Sequence, residues 1–269
     1  MPSARNGSSD VFFEIRGAGP PVILFNHSGA SNLGWSDRFL VAMAEAFRII
    51  TPDQRGTGLS SPATDEFSLK DLATDGAVVL DALGIARTIV VGTSMGGAVA
   101  QEFALNYPER VSALLLLGTF AGGKHFVPPH PDVMALFDQA SRIDSTLERS
   151  RRMLPTLYTS AFLARHEELA LELHLKGSRY TTEQTMKRHR QAVSQFEAYA
   201  RLPALSLPAM IIHGTADSII PIENGRILAS HIADSEFVPL EGIGHLPATE
   251  APLETARLIR DFAAKSVGG

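Results

Sequence analysis

Three residue types needed for nucleophilic acyl chemistry occur far apart in this chain, each in a turn marked by glycine. Ser94 is the centre of Gly92-Thr93-Ser94-Met95-Gly96-Gly97, a G-x-S-x-G pattern. A serine hydroxyl is a weak nucleophile at neutral pH and needs a base that an acid holds in place. His245, in Gly242-Ile243-Gly244-His245-Leu246-Pro247, offers the base; Asp217, in His213-Gly214-Thr215-Ala216-Asp217, offers the acid. The oxyanion formed on an attacked carbonyl needs two donors. The backbone N–H of Met95 provides one, and that of Ser28, in Asn26-His27-Ser28-Gly29, provides the other. Taken singly, the three positions have plain alternatives: a strand–helix turn with a capping serine, a turn aspartate and a loop histidine. Their common setting argues for chemistry.

That setting is a βα rhythm. Residues 88–91 form a β-branched strand before Ser94, and 98–107 form a helix that stops at Pro108. A serine between the two sits in a tight turn at the head of a helix, where N–H groups favour an anion. Residues 11–15 alternate like a strand, and 22–25, 47–51, 111–117, 209–213 and 236–240 read as further strands. Ser68 caps a helix that carries Asp71 in its first turn, has Leu72, Val79, Leu80 and Leu83 at helical spacing, and ends at Gly84. Helices are also expected near 222–231 and 253–264. Between 122 and 205 the rhythm breaks into helical patterning with no strand, opened by Pro128, Pro129 and Pro131 and closed by Pro203 and Pro208. The expectation is a mostly parallel α/β sheet with helices on both faces, built from 1–121 and 206–269. A helical lid, 122–205, covers the carboxyl edge of the sheet, where ligands bind in such folds. Ser94, Asp217 and His245 would all lie on that edge.

With these residues in view, the whole chain resembles the α/β-hydrolases. The resemblance rests on Gly92 to Gly96, on Asp53-Gln54-Arg55-Gly56-Thr57-Gly58-Leu59-Ser60, on His213 to Asp217 and on Gly244-His245, in that order. Asn26-His27-Ser28-Gly29 followed by Trp35 is similar to the 3-oxoadipate enol-lactonase and carboxylesterase group, although most relatives carry glycine where His27 stands. The resemblance implies a cofactor-free serine hydrolase that cleaves a carboxylic ester or lactone through an acyl-enzyme. A carbon–carbon bond hydrolase, a perhydrolase or haloperoxidase-like enzyme, and a slowly turning ligand receptor share the same triad. It also implies that Asp53 and Arg55 are scaffold. His27, Trp35, Phe126 and Phe162 are the expected substrate contacts, with Phe137, Leu157, Tyr158 and Phe196 as further apolar lid residues.

Composition closes off other classes. The chain has 269 residues, 45% of them hydrophobic, with 24 basic against 29 acidic side chains and a net charge of −5. An acidic balance disfavours nucleic acid. The absence of cysteine removes disulfides, thiolate catalysis and cysteine-held metals. There is no G-x-G-x-x-G, no phosphate-binding P-loop pattern and no H-E-x-x-H, so neither cofactor nor metal is expected. No apolar run approaches the ~18 residues of a membrane span, and residues 1–10 lack a signal-peptide core, so a cytoplasmic protein is expected. Lys187-Arg188-His189-Arg190 reads as a solvated helix face, and His125 and His130 as surface residues.

Overall fold

The computed structural model describes residues 2–267. Its centre is an eight-stranded sheet: β1 (Ser3–Asn6), β2 (Ser9–Arg16), β3 (Pro21–Phe25), β4 (Arg48–Pro52), β5 (Thr88–Thr93), β6 (Val111–Leu117), β7 (Ala209–Gly214) and β8 (Ser235–Leu240). The spatial order is β1-β2-β4-β3-β5-β6-β7-β8. β2 is antiparallel to both β1 and β4, and all other pairs are parallel.

Both faces of the sheet are covered, which explains the unbroken apolar strands. Alternate residues enter opposite layers. Ile23, Phe25, Val90, Leu114, Leu116 and Ile211 pack on the side of α2 (Leu69–Ala82), α3 (Met95–Asn106) and α8 (Glu223–His231). Val22, Leu24, Val91, Leu115, Leu117 and Ile212 pack toward α1 (Asp37–Ala44) and α10 (Pro252–Val267). The expected capping box is formed: Ser68 Oγ accepts from Asp71 N–H at 3.2 Å, and Ser68 N–H donates to Asp71 Oδ2 at 2.7 Å. β1 and α1 had no counterpart in the sequence reading. β1 has a single apolar residue, Ala4, and exists because it pairs with β2.

Between β6 and β7 the chain forms four helices: α4 (Pro131–Ser141), α5 (Thr146–Leu157), α6 (Ser160–Gly177) and α7 (Glu183–Ser194). The insertion closes at its neck, where Ala198 N–H donates to Ala121 O at 2.8 Å and Gly123 N–H to Phe196 O at 3.1 Å. Leu154, Leu157, Tyr158, Phe162 and Leu171 give it an apolar cluster of its own, completed by Leu246 from the core. α9 (Pro247–Glu250) is a single turn that follows this contact. No helix among the described residues is long and apolar enough to cross a membrane.

The basic run corrects the sequence reading. Lys187 and Arg190 face solvent, but Arg188 is half-buried and donates to the carbonyls of Ala63 and Thr64, while His189 is fully buried. α7 therefore faces the core with the two middle residues of the run. A charge count cannot reveal this.

Candidate active site

Ser94 occupies the turn between β5 and α3 with φ 55° and ψ −124°. A non-glycine residue rarely adopts positive φ, and the surrounding backbone must hold it there. Ser94 N–H donates to Leu117 O at 2.9 Å, and Thr119 Oγ1 donates to Ser94 O at 2.7 Å. A β-carbon on Gly92 would overlap the Gly96 carbonyl, and one on Gly96 would overlap that of Phe25. The elbow needs both glycines because backbones pass in contact. The Ser94 hydroxyl does not cap α3 and so is not spent on local structure.

Asp217 and His245 meet in a buried pair, with His245 Nδ1 2.8 Å from Asp217 Oδ2. Facing a carboxylate, Nδ1 carries the proton, which leaves Nε2 as the basic nitrogen. Burial alone would raise Asp217; His245 and His213, by charge and hydrogen bonds, outweigh it and hold the carboxyl at about 2. Asp217 Oδ1 also accepts from the N–H groups of Ile219 (3.0 Å) and Ile220 (2.9 Å). His213, which the sequence reading had only as part of a turn motif, is fully buried beneath the acid. Its Nε2 donates to Ile220 O at 2.8 Å and lies 3.5 Å from Asp217 Oδ2. A polar residue ending an otherwise apolar strand was the available signal.

Among the described residues, no hydrogen bond is formed between Ser94 and His245. The chain nevertheless brings them to one region: a β-carbon on Gly118, next to the Leu117 that holds Ser94 N–H, would meet the His245 carbonyl at 2.8 Å. Hydrogen bonds between nucleophile and base are often long in unliganded enzymes and tighten when substrate binds.

The loop after β3 is pinned at almost every peptide. His27 N–H donates to Asn26 Oδ1 (2.8 Å), Gly29 N–H to His189 Nδ1 (3.0 Å) and Ala30 N–H to His27 O (3.2 Å). Only Ser28 N–H is without a partner in this stretch, among the described residues. Met95 N–H, first in α3, likewise has no helical acceptor. The sequence reading assigns the oxyanion to these two N–H groups.

His27 lies near His174 and His245. Burial, then those two imidazoles, lower His27 to about 3, so its ring is neutral. Its Nδ1 lies 3.2 Å from Ser28 O and donates there, leaving Nε2 bare. Burial, then Arg149, lower His174 also. Both residues keep some accessible surface. Trp35 is corrected: it stacks on Phe39, 5.6 Å between ring centroids, inside the layer next to α1, with Nε1 buried and unpartnered. Phe162 stacks on Tyr158 within the insertion's cluster, and half-buried Phe126 packs edge-on to Phe120. Asp53 is buried and accepts from Asn32 and Leu59, tying loop segments together, while Arg55 pairs with Asp75 of α2 at 2.6 Å. Among the described residues no His, Asp and Glu cluster is arranged to hold a metal.

The sequence profile of the alpha/beta hydrolase fold matches residues 21–252. This chain belongs to the α/β-hydrolase fold family. The 2-hydroxy-6-oxononadienedioate/2-hydroxy-6-oxononatrienedioate hydrolase of Burkholderia vietnamiensis is 34% identical to this α/β-hydrolase over 260 residues, covering 94% of this chain and 90% of that protein. A thermophilic esterase from Thermogutta terrifontis superposes with a TM-score of 0.83 at 26% identity, covering 98% of this chain and 97% of that one. The enol-lactonase of Burkholderia xenovorans superposes at 0.84 with 24% identity over 97% and 99% of the two chains, a likeness of fold.

Proposed function

We propose that this α/β-hydrolase is a serine hydrolase that cleaves the carbon–carbon bond beside the 6-oxo group of a conjugated 2-hydroxy-6-oxo dienoic acid. The observation that carries the serine chemistry is the 2.8 Å His245–Asp217 pair, which sets the proton on Nδ1 and leaves Nε2 to serve Ser94 at the strained elbow. The substrate class is supported by the 34% identical relative, whose named substrate has no ester and can be hydrolysed only next to its ketone.

His245 takes the Ser94 proton as Oγ attacks the 6-oxo carbon, and the oxyanion rests on the N–H groups of Met95 and Ser28. Collapse breaks the bond to C5. In the 2-oxo tautomer, the released electron pair delocalises through the adjoining double bond onto the C2 oxygen, and the imidazolium of His245 returns the proton to this fragment. Water, deprotonated by His245, then frees the acyl group from Ser94 as a carboxylic acid. Asp217 orients His245 and stabilises its charged form. The bare Nε2 of His27 offers an acceptor to the substrate's hydroxyl, and Phe126 an apolar wall. Residues 122–205 act as the lid over this site.

A carboxylic ester or lactone, the first expectation from the sequence, becomes the second reading and is favoured by the 26% identical esterase. The test is to give one purified sample a 2-hydroxy-6-oxo dienoic diacid and p-nitrophenyl acetate. Cleavage of the dienoate should exceed that of the ester by roughly 100-fold in kcat/KM, with many turnovers per molecule. Ester preference would move the substrate to the second reading, and a single stoichiometric burst would mark a receptor. Ser94→Ala should lower turnover by about 10⁶-fold. Retention of a tenth of the activity would remove Ser94 as nucleophile.

A further inference from the structure

The loop that carries Ser28 is gripped by the helical insertion, from more than 150 residues away in sequence. His189, on α7, accepts Gly29 N–H at Nδ1 (3.0 Å), and its Nδ1 lies 3.5 Å from Ser28 Oγ. Thr181, between α6 and α7, donates its hydroxyl to Gly29 O at 2.8 Å. From the loop's own side, His27 Nδ1–H donates to Ser28 O. The peptide joining Ser28 to Gly29 is therefore held at both its oxygen and its nitrogen. The one joining His27 to Ser28 is held at its oxygen by Ala30 N–H, which leaves the Ser28 N–H as the free arm of a fixed frame.

The way His189 is seated suits this role. It is fully buried, edge-on to Phe67 at 5.6 Å between ring centroids. Arg188 beside it anchors α7 to the carbonyls of Ala63 and Thr64. A backbone N–H donates to Nδ1, so the ring proton is on Nε2, on the side of the Arg55 carbonyl. Burial, outweighing the opposing hydrogen bond with the Arg55 backbone, lowers the ring to about 4, so the acceptor nitrogen stays unprotonated near neutrality.

We propose that His189 is a positioning residue for the oxyanion donor Ser28 N–H, so that the insertion sets the geometry of the reaction centre as well as covering it. This rests on the assignment of Ser94 and Ser28 made above. His189 touches no reacting atom. It acts by fixing the plane of the Ser28–Gly29 peptide, and through it the direction of the neighbouring N–H. Small errors in such a donor are costly because its stabilisation is felt only when the oxyanion forms.

The test compares His189→Leu, which keeps bulk and loses the acceptor, with His189→Asn, whose Oδ1 can stand where Nδ1 stood. Competent sites are counted first by stoichiometric labelling of Ser94 with a fluorophosphonate, and rates with p-nitrophenyl acetate are expressed per labelled site. His189→Leu should lower kcat by about 10- to 100-fold with KM within threefold, and should weaken an aryl trifluoromethyl ketone, which forms an oxyanion adduct, by a similar factor. His189→Asn should restore most of both. Should His189→Leu fail to fold, Thr181→Val carries the same test with a smaller loss of about threefold. Unchanged kcat and ketone affinity per labelled site in these variants, with Ser94→Ala inactive, would overturn the role of His189 while leaving the nucleophile in place. An equal loss in Asn and Leu variants would also overturn it. Failure of Ser94 to label would instead strike the underlying assignment.

Discussion

The carboxylate of Glu250 receives both the backbone N–H (3.1 Å) and the hydroxyl (2.7 Å) of Thr159. The same Oε1 takes the N–H of Gly244 at 3.1 Å, so the residue before His245 and the junction of α5 with α6 hang on one side chain. The next contacts run the same way. His245 N–H donates to Leu157 O at 3.2 Å, and Ser218 Oγ donates to Thr156 O at 3.1 Å. The loops bearing base and acid are both tied to the insertion.

Glu250→Ala should strand the N–H groups of Thr159 and Gly244 and cost about 2–3 kcal/mol. For a chain of this size that is a fall of roughly 5–10 °C in melting temperature, read by thermal unfolding. Glu250→Gln should recover most of it, because an amide oxygen still accepts both N–H groups and the Thr159 hydroxyl can turn to accept from the amide. A melting point within one degree of the parent for the alanine variant would rule out the clamp.

Asp217→Asn should reduce kcat by about 10⁴-fold, because an amide favours the wrong imidazole tautomer and cannot stabilise the imidazolium. Steady-state kinetics on either substrate class read this directly. A loss under tenfold would show that His245 does not depend on Asp217.

Acid should destabilise the fold as the pH falls below about 6.5. His27 at about 3 and His189 at about 4 are neutral when folded, whereas free imidazole titrates near 6.5. The unfolded chain thus binds more protons between these values, so their stabilising share is complete above pH 6.5 and is lost as pH falls toward 4 and 3. For His189 alone the full span is on the order of 3 kcal/mol. Asp217, depressed from 3.8 to about 2, adds a further loss only below about pH 4. Urea midpoints at pH 7 and pH 5 should show the drop, and His189→Asn should make it smaller. Equal midpoints would contradict buried neutral rings.

Gly29→Ala should damage turnover more than substrate binding. Gly29 has φ +74°, and a β-carbon there would run into the Met186 sulfur. The left-handed backbone costs about 1–2 kcal/mol by itself, and Met186 must also move. Adding Met186→Ala should return part of the lost kcat; a Gly29→Ala chain with parental kinetics would mean that the loop tolerates displacement.

The strands of the parallel sheet could be read from the sequence because burial on both faces leaves continuous runs such as Ala113 to Leu117, a purely local signal. Ser94 was legible for a similar reason, since the strained turn demands Gly92 and Gly96 beside it. The order Ser94, Asp217, His245 also followed, as each ends a strand whose position could be read. Trp35 could not be placed, because an aromatic side chain after a loop has the same composition whether it meets a substrate or stacks on Phe39. The basic run 187–190 misled because charge reports a solvated face only when nothing buries it. Gly29 meets His189, and Thr159 meets Glu250, only after the insertion has closed over the sheet. Local sequence determined the turns and strands that present reactive groups. Tertiary packing alone decided which distant side chains hold them, since a hydrogen bond across such separations has no trace in the residues adjoining either partner.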